Sequence, residues 1–175
     1  MPTLSFLFLA LFMVHEFEEI IFVNYWLEKH QSYPIKYDLW VSQYPAHRSV
    51  TRSALACMVG EEFGLAVLVL LGAILFNNTE VVIGLFLANM LHLVVHLVGA
   101  WRIGKWSPGS ATALITLIPS VGVVGAVFLS NRLNIAAAGL AALTFLVLLL
   151  GNIILLKRNT PRIENFIAAY VRRFF

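Results

Sequence analysis

Three short clusters in this chain carry side chains that could do chemistry: His15-Glu16-Phe17-Glu18-Glu19, then Glu61-Glu62, then Asn89 with His92 and His96. Imidazole suits zinc and iron, and carboxylates can bridge two ions. We take His15, Glu18, Glu19, Glu61, Glu62, His92 and His96 as candidate metal ligands. Asn89 is the candidate for orienting a ligand or substrate, and Glu62, if not a ligand, the candidate general base. Di-iron carboxylate bundles draw on the same side-chain types. The spacings here are H-x-x-E-E and H-x-x-x-H and not the E-x-x-H of those bundles.

The elements that must position these groups are apolar. Of the 175 residues 60% are hydrophobic and 12% charged, against about 45–50% and 25% in soluble domains. The excess has to face lipid. Five runs have the roughly twenty residues needed to cross about 30 Å of hydrocarbon as helix, at 4–26, 53–76, 80–101, 111–130 and 135–156. Breakers separate them at Asn77-Asn78, at Ser107-Pro108-Gly109-Ser110, and at Asn131 with Asn134. The expected fold is all-α: a polytopic membrane bundle of five transmembrane helices forming one membrane domain over 1–175.

Eleven of the twelve Lys and Arg fall in the 27–52 loop, the 102–110 turn and the tail; Arg132 is the exception. The positive-inside rule then puts the amino terminus outside and the tail in the cytoplasm, with the bacterial inner membrane as the expected compartment. The same distribution argues against a nucleic-acid partner despite the net charge of +3. The first run holds His15 and three glutamates and lacks a basic flank, so it reads as a retained helix and not a signal peptide. Trp26, Tyr33, Tyr37, Trp40 and Tyr44 suit headgroup depth. In the tail, 161–175, Ile163, Phe166, Ile167, Tyr170, Val171 and Phe174 form one stripe that would lie on the membrane surface. Cys57, the single cysteine, reads as a small packing residue. Oligomeric state is not legible.

Five glutamates inside the spans, charged and unpaired, would cost on the order of 15 kcal/mol at roughly 3 kcal/mol each. They must be protonated, paired or bound to something. Helical periodicity places His15, Glu18 and Glu19 within a roughly 100° arc, leaves Glu16 about 60° beyond it, and puts Asn89, His92 and His96 within roughly 60°. At 1.5 Å per residue most of these groups come out roughly 2–6 Å to the cytoplasmic side of the midplane. Gly60 and Gly64 bracket Glu61-Glu62 in a G-x-x-x-G spacing that would admit a neighbouring backbone.

The H-x-x-E-E motif in the first span, the glutamate pair in the second and the later Asn/His cluster together resemble the HXXEE-motif family of integral membrane proteins. That resemblance implies a helical membrane protein and assigns no substrate or cofactor. The residues themselves point to a membrane-embedded metalloenzyme acting on a lipophilic substrate: zinc would support hydrolysis, and two irons would support oxidation with dioxygen. Carboxylates outnumber histidines, which favours di-iron over zinc. The alternative is a proton or metal-ion transporter using the same cluster. A third reading is a metal-free protease resembling the CAAX-processing type, but Ala66 stands where that motif has arginine.

Overall fold

The computed structural model describes residues 1–30, 51–130 and 133–174. It contains five helices: α1 Pro2–Lys29, α2 Arg52–Leu75, α3 Thr79–Ile103, α4 Ser110–Leu129 and α5 Ile135–Phe174. The sequence expectations for Tyr33, Tyr37, Trp40, Tyr44, Lys36, Arg48, Asn131 and Arg132 lie outside the described residues. Helix starts follow local chemistry. Thr51 accepts a hydrogen bond from the Ala54 amide, Asn78 from Val81 and Asn134 from Ala137, each side chain satisfying an amide of the first turn. Gly104, at φ 66°, closes α3 in the left-handed conformation that glycine adopts without strain.

The central helix α3 touches all four others. Its contact with α5 is close at Gly84, where an added Cβ would lie 2.6 Å from the Ala141 Cβ; Ala138 and Ala142 are buried in the same seam. Small residues that let backbones approach in this way are how apolar helices associate where lipid competes equally for apolar side chains. The spacing of Gly60 and Gly64 suggested such a contact on α2, and here the structure differs: nothing comes within 4 Å of a Cβ at either position.

Two apolar clusters sit at opposite ends. One gathers Phe8, Phe12, Leu70, Ala73, Val82 and Phe86; the other gathers Val23, Trp26, Leu27, Ala54, Leu55 and Met58. Between Phe12 and Val23 of α1 come His15, Glu16 and Glu18, all buried, so the chain stacks apolar, polar and apolar layers. The outside is apolar as well, with Phe6, Phe17, Ile21, Leu68, Ile118 and Leu148 all exposed. Four helices, α2 to α5, are long and apolar enough to cross a membrane. Helix α1 is as long, but its carboxylates reduce its mean apolarity.

Two interfacial expectations change. Trp26 is buried, and its indole donates to the Trp106 carbonyl at 3.1 Å, so it fastens α1 to the α3–α4 turn and does not face headgroups. The tail is not a separate element but the continuation of α5, whose 40 residues run through Pro161. Ile163 and Ile167 pack on the Val23–Trp26–Leu27 cluster, Glu164 accepts from the Thr51 amide at 2.8 Å, and Phe166, Tyr170, Val171 and Phe174 stay exposed. Cys57 is exposed and takes no part in the core.

Candidate metal centre

His15 and Glu19 on α1 face His92 and His96 on α3. The Nε2 atoms of His15 and His92 are 3.3 Å apart, those of His92 and His96 3.1 Å, and His96 Nε2 lies 3.3 Å from Glu19 Oε1. His15 and His96 are 0% and 2% exposed. Ligand atoms of the three imidazoles lie within 4.8 Å of one another, a group that could hold a metal ion.

What surrounds the rings fixes which nitrogen points inward. Thr112, in the first turn of α4, donates its hydroxyl proton to Glu18 Oε2. Its Oγ1 must therefore accept from His15 Nδ1, 3.3 Å away, which leaves the His15 Nε2 lone pair facing the cluster. His96 is enclosed on its other side by the α3–α4 turn, with its Nδ1 beside Gly109. Its Nε2 is directed at His92 and Glu19. Three imidazole nitrogens and a carboxylate oxygen converge on one point. Acceptors crowded together need a cation or shared protons between them, and hydrogen-bonded outer nitrogens are the usual support of metal-ligating histidines.

The α3–α4 turn makes the close approach possible. Gly109 has φ 85°, and a Cβ there would lie 2.5 Å from His96 Nδ1 and 3.1 Å from Glu19 Oε1. Ser110 braces the turn, its hydroxyl donating to the Ser107 carbonyl at 2.6 Å.

Glu18 stands apart from the imidazoles. Its Oε2 accepts from the Thr112 amide at 2.7 Å and its Oε1 from the Trp106 indole at 2.9 Å. It caps the amino terminus of α4 from another helix, where the unpaired amides and the helix dipole favour negative charge. Glu61 is on an exposed face, where the Asn152 amide donates to it at 2.9 Å; Asn152 also bonds Glu62. Of the seven candidate ligands, the structure brings together His15, His92, His96 and Glu19 and places Glu18, Glu61 and Glu62 elsewhere.

Glu62 and Asn89 line a cavity of about 340 Å³ that opens from the centre between α1, α2, α3 and α5. His92 is part of its wall, so the cavity reaches the imidazole cluster. Glu16, Glu19 and Lys157 complete its polar end; Leu55, Met58, Leu146, Leu149 and Ile153 make the rest apolar. Leu91, Val95 and Leu150 line it and are also exposed outside, so its mouth lies on the apolar surface.

Sequence reasoning missed Thr112, Trp106, Pro108 and Gly109 as site residues and set Glu16 aside. The nearest signal was the Ser107-Pro108-Gly109-Ser110 turn only eleven residues beyond His96, which had to bring the start of α4 under the third helix's histidines.

A bundle of apolar helices enclosing an imidazole–carboxylate cluster is thus the class of protein the fold defines. The family described as protein of unknown function with HXXEE motif matches residues 6–124, and the chain belongs to it. No curated protein and no solved structure matches it.

Proposed function

We propose that the protein is an integral membrane metallohydrolase, with one divalent ion, zinc by preference, held by His15, His92 and His96 and a lipophilic substrate in the adjoining cavity. The observation that carries this reading is the convergence of the three Nε2 atoms beside a cavity that opens onto the apolar surface. Three histidines and an open position are the ligand set of catalytic zinc, which lowers the pKa of a bound water and polarises a carbonyl. Glu19, next to His96, is positioned to take a proton, and Asn89 and Glu62 face the bound substrate.

One ion is favoured over the two irons that the count of carboxylates suggested. Glu18 is committed to capping α4 and Glu61 to Asn152, so Glu19 is the carboxylate left beside the imidazoles. An apolar mouth suits a lipid-soluble substrate better than a hydrated ion, which disfavours the transporter reading. We take α1 to cross the membrane as a fifth span with the amino terminus outside. Its glutamates at 16 and 18 are buried, and its outward side chains, Phe6, Val14, Phe17, Ile21 and Phe22, are apolar.

The test is elemental analysis of detergent-purified protein from metal-replete medium, paired with hydrolysis of a long-chain p-nitrophenyl ester. One zinc per chain is expected, with hydrolysis lost in Glu19→Gln while the metal is kept. Two irons per chain, or no transition metal, overturns the reading.

A further inference from the structure

We infer that the chain forms a two-fold dimer in the membrane through the outward face of α2, where a second copy covers Glu61 and its partner Asn152. The inference goes beyond the metal reading and does not depend on it. Glu61 stands in the middle third of the 24-residue apolar helix α2 and is exposed. Leu65, Leu68 and Leu71 are exposed on the same side, so this side of a spanning helix would meet lipid. The hydrogen bond from Asn152 at 2.9 Å leaves the carboxylate on the outside. Ionisable groups within a span turn to protein, to a water-filled cavity or to one another, because hydrocarbon offers them no partner. A carboxylate–amide pair on the lipid side of a bundle therefore calls for a protein cover.

The residues beside Glu61 set what that cover is. Gly60 and Gly64 lie on the same outward side, and nothing comes within 4 Å of a Cβ at either. Ser53 and Cys57, both exposed, carry the line of small residues to the start of the helix at intervals of three and four. Such intervals keep one seam turned toward a partner helix, and small side chains let the two backbones come close. Close approach needs small residues on both helices, and the same stripe on a second copy supplies them. Copies inserted in one membrane share one orientation, so a two-fold axis along the membrane normal sets α2 parallel to its counterpart and brings like positions together. The same axis gathers both Glu61 carboxylates and both Asn152 amides at one interface, out of contact with lipid.

The single cysteine of the chain, Cys57, lies on the stripe and reports the contact without an engineered label. The experiment treats the purified full chain in liposomes with a short bismaleimide and reads the cross-linked dimer on a gel; single-molecule photobleaching counts subunits in the same vesicles. Wild type is expected to cross-link and to bleach in two steps. A Cys57→Ser chain carrying Leu114→Cys, on the exposed side of α4, cross-links about tenfold less. Gly64→Leu blocks the close approach and lowers the dimer fraction about tenfold, whereas alanine, itself small, is tolerated there. Gly60→Leu serves if that variant does not fold. Glu61→Leu weakens the dimer as well, because lipid accepts a leucine as readily as a partner does. Equal cross-linking at positions 57 and 114, a dimer indifferent to leucine in the stripe, or single-step bleaching throughout overturns the inference. Metal content recorded on the same samples keeps the two readings apart: a dimer without metal overturns the metalloenzyme and leaves this inference standing.

Discussion

Glu18 and Thr112 are joined twice, through the backbone amide at 2.7 Å and through the hydroxyl, and the same hydroxyl receives His15 Nδ1. One threonine thereby stands in the first turn of a helix, gives a buried carboxylate two hydrogen bonds and sets the tautomer of a candidate ligand. Replacing Thr112 by valine keeps the shape and removes the hydroxyl. Metal affinity, measured by competition with a chelating dye, is expected to fall about 10–100-fold, the usual effect of losing such outer support. Thr112→Ser restores most of it.

The separation of ligands from bystanders is directly measurable. His92→Ala and His96→Ala each remove metal from the purified protein, and His15→Ala does the same. Glu61→Gln leaves metal content at the wild-type level, because Glu61 faces outward to Asn152. Loss of metal in Glu61→Gln would show that the second helix turns its glutamate pair the other way.

Glycines provide a test of the geometry. Gly109→Ala places a methyl against His96 at a backbone angle that costs an alanine about 1–2 kcal/mol, so both thermal stability and metal content fall. Gly60→Ala and Gly64→Ala meet nothing and sit within a helix, where the exchange gains about 0.5–1 kcal/mol. Midpoints of thermal unfolding in detergent should move in opposite directions.

Gly84 probes the seam between α3 and α5. Its replacement by valine overpacks the contact with Ala141 and is expected to destabilise by about 1–3 kcal/mol. Elemental analysis distinguishes this from damage to the centre, since α5 supplies none of its four members.

The sequence made the helices legible because twenty-residue apolar runs separated by Asn, Pro and Gly leave little choice of fold. It made His15, His92 and His96 legible because three- or four-residue spacings align His15 with Glu18 and Glu19 along one stripe of α1, and His92 with His96 along one stripe of α3. Glu18 and Glu19 could not be told apart in this way: both lie on the inward arc of α1, and what divides them is where α4 begins, a tertiary fact. Glu16 fell about 60° outside that arc and is nevertheless buried, lining a cavity that α2 and α5 also wall. Glu61 and Glu62 are neighbours in sequence with opposite surroundings, one outside and one in the cavity wall.

The polar layer held between two greasy stacks also solves a problem of alignment. Oily helices in oil can slide or rotate past one another at little cost, since lipid replaces any side chain they lose. A one-residue slip of α1 would swing its ring and acids round by about 100° and strand Glu18, Trp106 and Thr112 together. The chemistry-bearing centre is thus also the pin that sets the register of the bundle.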